Sequence, residues 1–179
     1  MRLIEPDWPR HARVKACVTT RSGGVSAAPY DSLNLASHVA DDPLNVAENR
    51  RLLRASLGLA QEPVWLEQVH GTQVFRIDDR GARSLTADAA WTDRAGTPCV
   101  IMSADCLPVL FADDAGSCVA AAHAGWRGLA AGVLERTVRA LPVAPAALTA
   151  WMGPAIGPAA FEVGSDVVDA FEKSMNVPA

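Results

Sequence analysis

Three short segments place a reactive side chain where an apolar run gives way to small or turn-forming residues. They are Glu67-Gln68-Val69-His70-Gly71, Ser103-Ala104-Asp105-Cys106-Leu107-Pro108 and Ala122-His123-Ala124-Gly125-Trp126-Arg127-Gly128. Strand ends are rigid platforms, and glycines beside them let a ligand approach the backbone. Two imidazoles and a thiolate make a three-ligand zinc site with the fourth position open to water or substrate. The same trio also fits a Cys nucleophile with a His base. Blander readings compete at each position. A lone Cys is most often a small buried hydrophobe, His123 sits between alanines as a core imidazole would, and His70 has the place of a hairpin turn residue. Asp105 tips Cys106 toward function, because a carboxylate in an apolar run is costly unless it is paired or orients a ligand.

Directly after His123, the Gly125–Gly128 turn leads into a helix expected over Leu129–Leu141. Free N–H groups at such a start, with the positive end of the dipole, suit an anion. Arg127 adds a fork-shaped donor there, and Arg21, in its own Ser22-Gly23-Gly24 turn, offers another; the alternative is that both are ordinary surface charges. Trp126 either stacks on a planar ligand or covers the core. Cys17, Cys99 and Cys118 are assigned to the core, and His11 and His38 to the periphery.

The elements that must position these groups follow from periodicity. Residues 14–20 read as a β-branched strand ending in the glycine turn. Asp42 and Pro43 open a helix with Val46, Leu53 and Leu57 on one stripe, and Gly58 stops it. Val64–Val69 and Gln73–Ile77 read as paired strands flanking the His70 corner, and residues 87–92 are ambiguous. The apolar runs 98–104 with 107–111, and 117–122, read as strands buried on both faces. Leu148–Met152 is a short strand, and Ser165 caps a last helix over Asp166–Met175. Strands mixed irregularly with helices predict an α/β (α+β) layered sandwich with a mixed sheet, in one domain spanning residues 1–179.

Composition narrows the partners. A chain of 179 residues suits one domain burying about 70% of its unfolded surface. A net charge of −4 argues against a nucleic-acid partner. No stretch approaches 18 apolar residues, and the start shows no leader pattern, so a cytoplasmic protein without a membrane span is expected. The four cysteines form no Cys-x-x-Cys pair, which points to reduced thiols. The oligomeric state is left open. Four histidines leave room for one mononuclear site, not for several coppers. A multicopper oxidase needs about ten histidines in His-x-His pairs, and this chain has no such pair. Laccase chemistry of that kind is excluded; copper at the same three ligands is not.

Several motifs occur together and in order: Thr19-Thr20-Arg21-Ser22-Gly23-Gly24-Val25-Ser26, Tyr30-Asp31-Ser32-Leu33-Asn34-Leu35, Glu48-Asn49-Arg50, Trp65-Leu66-Glu67-Gln68-Val69-His70-Gly71, Ala104-Asp105-Cys106-Leu107-Pro108, His123-Ala124-Gly125-Trp126-Arg127-Gly128, Gly153-Pro154-Ala155-Ile156-Gly157-Pro158 and Phe161-Glu162-Val163-Gly164. Over nearly the whole chain this resembles the bacterial YfiH-like family, labelled laccase-domain or polyphenol oxidase and also purine nucleoside phosphorylase. The resemblance implies one zinc held by His70, Cys106 and His123. It implies phosphorolysis of adenosine, inosine and methylthioadenosine to the free base and ribose 1-phosphate, with adenosine deamination as a second activity. Nucleoside and phosphate are then the partners, and Arg21, Asn34, Gln68 and Arg127 the expected substrate-binding residues. It also implies a fold similar to the catalytic domain of cytotoxic necrotizing factor toxins, which use a Cys–His pair. Relatives are further linked to copper-dependent phenol oxidation and to editing of cell-wall peptide precursors. Members of the family continue with a Cys-Thr and a Ser-Tyr-Arg-Arg segment that this sequence lacks, so a C-terminal part of the family fold is expected to be missing.

Overall fold

Asp42 accepts a hydrogen bond from the Leu44 N–H (2.8 Å), and Pro43 fills the first helical position, so a helix starts at Pro43. In the computed structural model, which describes residues 1–8, 13–78 and 85–175, this helix α1 runs Pro43–Leu57 and ends at Gly58 in the left-handed region. The chain forms two compact units. One comprises Met1–Asp7 with Lys15–Pro63, the other Trp8–Val14 with Val64–Ala179. His11 lies outside the described residues.

In the first unit, β1 (Leu3–Ile4) pairs antiparallel with β2 (Val18–Thr19), so only two residues of the strand expected over 14–20 enter a ladder. The α1 stripe buries Val46 and Leu53 as expected, and between them Asn49, which is fully buried. Its Oδ1 accepts from the Val25 N–H (2.8 Å), and its Nδ2 donates to the Ser26 hydroxyl and to the carbonyls of Ser32 and Asn34. A buried amide must be paired. Here that pairing fixes the irregular 25–34 segment against the helix.

The second unit is built on a mixed five-stranded sheet in the order β3-β4-β6-β5-β7: Val74–Arg76, Ala89–Thr92, Val119–Ala124, Leu107–Asp113 and Leu148–Met152. Only β3 and β4 are parallel. The central strand β6 has four alanines among its six residues, and it faces large residues across the ladder: Phe111 and Trp91 both lie opposite Ala120. On one face Val109, Phe111, Trp91 and Ala122 pack with Val133 and Leu141. Each fully buried aliphatic side chain in such a cluster contributes about 1.5–3 kcal/mol. On the other face Ala90, Leu66 and Ile77 pack with Phe75, Cys99 and Ile101. The expected α+β architecture with a mixed sheet is therefore present.

Three expectations are corrected. Residues 98–104 form no strand; they are fixed through side chains, with the Gln68 amide bonded both ways to the Met102 backbone (2.7 Å each). Burial alone does not distinguish such a segment from a strand. Residues 64–69 form no hairpin with β3. Their contact is a single parallel bridge from Glu67 to Thr86, while β3 pairs with β4. The helix expected over Leu129–Leu141 starts earlier and is broken. α2 spans Trp126–Ala130, and α3 spans Val133–Ala140. Gly132 stands between them at φ 90°, a conformation that interrupts a right-handed helix and favours glycine. The last helix, α4 (Ser165–Met175), falls where expected. Among the described residues no helix is long and apolar enough to cross a membrane.

Candidate metal centre

The antiparallel register of β5 and β6 sets Leu107 opposite Ala124 and Pro108 opposite His123. Cys106, immediately before β5, therefore lies beside the residue that ends β6. His70 arrives from a separate corner with φ 59°, an uncommon backbone state for a residue with a side chain. The corner is held in it by three N–H groups: those of Val69 and Gly71 bond Oδ2 of Asp88 (3.2 and 2.6 Å), and that of His70 bonds Oδ1 (2.9 Å). Asp88 also accepts from Nδ1 of His123 (2.9 Å).

The result is a group of three donors, one each from His70, Cys106 and His123, all within 4.8 Å of one another. His123 is buried, Cys106 half-buried and His70 exposed. Nε2 of His70 stands 3.6 Å from Sγ of Cys106. Zinc bonds of about 2.05 Å to nitrogen and 2.3 Å to sulfur, at tetrahedral angles, put those two donors about 3.6 Å apart, so the pair is spaced as a metal requires. The imidazole rings meet edge to face at 4.8 Å. Gly125 leaves the room for this. A Cβ on it would lie 2.5 Å from Cδ2 of His70 and 3.1 Å from Sγ of Cys106. Two imidazoles and one thiol, in a cradle that a single methyl would fill, fit zinc well. Burial pushes the Cys106 thiol up, and Asp105 and Asp88 push it further. Burial pushes Cys99 up to about 12 and Cys118 up to about 11, as suits inert thiols.

Asp105 does not orient a ligand. It is exposed, and its backbone carbonyl accepts from the Ile156 N–H (2.9 Å). The carboxylate that supports the imidazoles is Asp88, which sequence reasoning missed. The same cost argument applies to it, since Ala87-Asp88-Ala89-Ala90 sets a charge in an apolar run.

The expected substrate residues divide between the units. Gln68 adjoins the His70 corner, with its amide bonded to the Met102 backbone. Arg127 is exposed, its guanidinium stacked on Trp126 at 4.1 Å, within the five-residue α2 rather than ahead of a long helix. Arg21 and Asn34 belong to the first unit. Arg21 binds the carbonyls of Asp31 and Pro29 and the Asp31 carboxylate, and the Asn34 amide binds Ala36 and Asp41.

Residues 15–178 match the family described as multi-copper polyphenol oxidoreductase laccase. The chain belongs to this family. Relatives in this laccase-type family include the purine nucleoside phosphorylase PA4543 of Pseudomonas aeruginosa, 61% identical over 94% of this chain and 68% of its own length. The purine nucleoside phosphorylase YfiH of Escherichia coli is 55% identical over 95% of this chain and 70% of its own. Among solved structures, Neisseria meningitidis protein NMB0706 superposes with a TM-score of 0.90 at 49% identity, covering 97% of this chain and 71% of that one. YlmD from Geobacillus stearothermophilus gives 0.83 at 37% identity, covering 90% of this chain and 65% of its own. The laccase label sits beside a donor set of one thiol and two imidazoles, among the described residues one group of three.

Proposed function

We propose that this chain is a cytoplasmic, zinc-dependent purine nucleoside phosphorylase with adenosine deaminase activity, acting as one family domain over residues 1–179. The observation that carries this reading is the His70–Cys106–His123 donor group with its 3.6 Å nitrogen–sulfur spacing. The purine nucleoside phosphorylase names of its relatives supply the substrate class. Four unpaired cysteines agree with a reducing compartment. A divalent ion held by His70, Cys106 and His123 would supply Lewis-acid polarisation and water activation. His123, buried and bonded through Nδ1, holds the fixed end of the site, and Cys106 contributes the anionic donor. Arg127 offers an exposed guanidinium beside Gly128 for phosphate, and Gln68 a substrate contact beside the His70 corner; Arg21 and Asn34, in the other unit, are proposed as substrate-binding residues on the family resemblance alone. In phosphorolysis the C1′–N9 bond breaks, C1′ bonds a phosphate oxygen, and the electron pair leaves with the base.

The test is a product assay on adenosine plus phosphate with metal-analysed protein. Adenine with ribose 1-phosphate reports phosphorolysis, and inosine reports deamination. Cys106→Ala and His123→Ala should each lose activity at least about 100-fold, since removing even a partner of a ligand costs 10–100-fold. Full phosphorolysis by both folded variants would overturn the reading.

A second reading has the same 3.6 Å separation behind it. Cys106 as nucleophile and His70 as base would make a hydrolase of cell-wall peptide precursors, on a scaffold like that of the cytotoxic necrotizing factor catalytic domain. An acyl-enzyme on Cys106 in chelator-treated protein would favour it. Copper-dependent phenol oxidation at the same donors is the third, and phenol turnover that follows copper loading would favour that one.

A further inference from the structure

We propose that Asp88 is the positioning residue of this metal centre: one carboxylate fixes both imidazole ligands at once, His123 through its ring and His70 through its backbone. The inference rests on the metal-centre reading above.

Asp88 is fully buried, and each of its oxygens accepts two hydrogen bonds. Oδ1 takes the His70 N–H and His123 Nδ1; Oδ2 takes the Val69 and Gly71 N–H groups. A carboxylate has about four acceptor sites, so this one is saturated by donors. Three of the four are backbone amides, which can only donate, and they leave His123 Nδ1 facing an acceptor. The His123 hydrogen is thereby placed on Nδ1, and the lone pair of Nε2 is left for the ion. The Asp88 backbone adds to this. Its carbonyl accepts from the His123 N–H (2.7 Å), and its own N–H donates to Gln73 (3.1 Å). The two imidazoles come from segments 53 positions apart, and Asp88 is the group that touches both, while Cys106 is set independently by the β5–β6 register.

Asparagine has the right shape and the wrong chemistry here. With its oxygen toward His123, its NH2 faces the Val69 and Gly71 amides, donor against donor. Flipped, it loses the His70 amide and faces His123 Nδ1. The first orientation loses two of the three bonds that hold the His70 corner, and the second frees His123 and the His70 amide together.

The experiment uses the full chain, with zinc as the probe. Zinc affinity is measured by chelator competition for wild type, Asp88→Asn and Asp105→Asn. Imidazole 15N spectra of the zinc-free proteins report which nitrogen of His123 carries the hydrogen. The expected result is a His123 Nδ1–H tautomer in zinc-free wild type, a lost or mixed tautomer in Asp88→Asn with 10–100-fold weaker zinc binding, and in Asp105→Asn the wild-type tautomer with a change in affinity below tenfold. A purely structural role would not set the tautomer. An Nε2–H tautomer in wild type overturns the assignment, and that measurement stands even if Asp88→Asn does not fold. Zinc binding by Asp88→Asn within twofold of wild type overturns it too and leaves the metal-centre reading intact. No zinc bound by wild type overturns the metal-centre reading beneath it.

Discussion

Gly125→Ala isolates the steric design of the metal centre. Gly125 has φ −63° and ψ 155°, values any residue adopts, so the substitution introduces no backbone strain. Beyond a small N-cap cost shared by the loaded and empty states, its effect comes from a methyl 2.5 Å from Cδ2 of His70 and 3.1 Å from Sγ of Cys106. Carbon atoms rest at about 3.5 Å, so the imidazole must retreat by about 1 Å. Metal–ligand distances tolerate only about 0.2 Å. Without an ion the exposed His70 side chain can swing outward and relieve the contact. With an ion it cannot, so the cost of overpacking, about 1–3 kcal/mol, falls on the loaded state. At about 1.4 kcal/mol per tenfold, zinc affinity should drop between about 5- and 150-fold. Chelator competition measures that drop. Melting curves with excess chelator should nearly coincide for Gly125→Ala and wild type, and those with zinc should separate. Zinc binding within a factor of two of wild type would refute the argument that His70 and Cys106 close on the ion through the space this glycine leaves.

Two further outcomes concern stability. Asn49→Ala removes four hydrogen bonds from a fully buried amide and leaves the Val25 N–H and the Asn34 carbonyl without their partner, so urea unfolding should show a loss of about 2–4 kcal/mol. Asp113 is buried, which raises its carboxyl, but hydrogen bonds from the Cys118 and Ser117 N–H groups, the Ser117 hydroxyl and Ala115 outweigh burial and hold it below the ordinary value of 3.8. A depressed folded value means the contribution is complete above pH 3.8 and is lost as pH falls through the folded value. Acid melting curves should therefore be shallower below pH 4 for Asp113→Asn than for wild type, and equal slopes would contradict this.

The three members of the donor group stood out in the sequence because each ends or precedes an apolar run at a glycine or proline, and the fold brings those endings together. α1 was legible down to its caps, since Asp42, Pro43 and Gly58 act through their immediate neighbours. Asp88 was legible only as a costly charge in an apolar run; its role was not, because its partners at 69–71 and 123 are brought to it by sheet pairing that no local pattern encodes. Asp105 drew attention instead because it adjoins a ligand in sequence, although it is exposed in space. The 98–104 run misled for a related reason: hydrophobicity reports burial, and burial against the sheet through Gln68 and Met102 looks in sequence like burial within it.

The graded exposure of the three donors bears on exchange rather than on equilibrium. His123 is 4% exposed, Cys106 is half-buried and His70 is open to solvent. An ion held by them would lose these donors in that order of accessibility, His70 first and His123 last, and its residence time would then be governed by how often one imidazole lets go. A competing chelator would enter by the same side and should speed release in proportion to its concentration. Variants of equal affinity can thus differ widely in how fast they trade metal with their surroundings, and the His70 corner is where that rate is set.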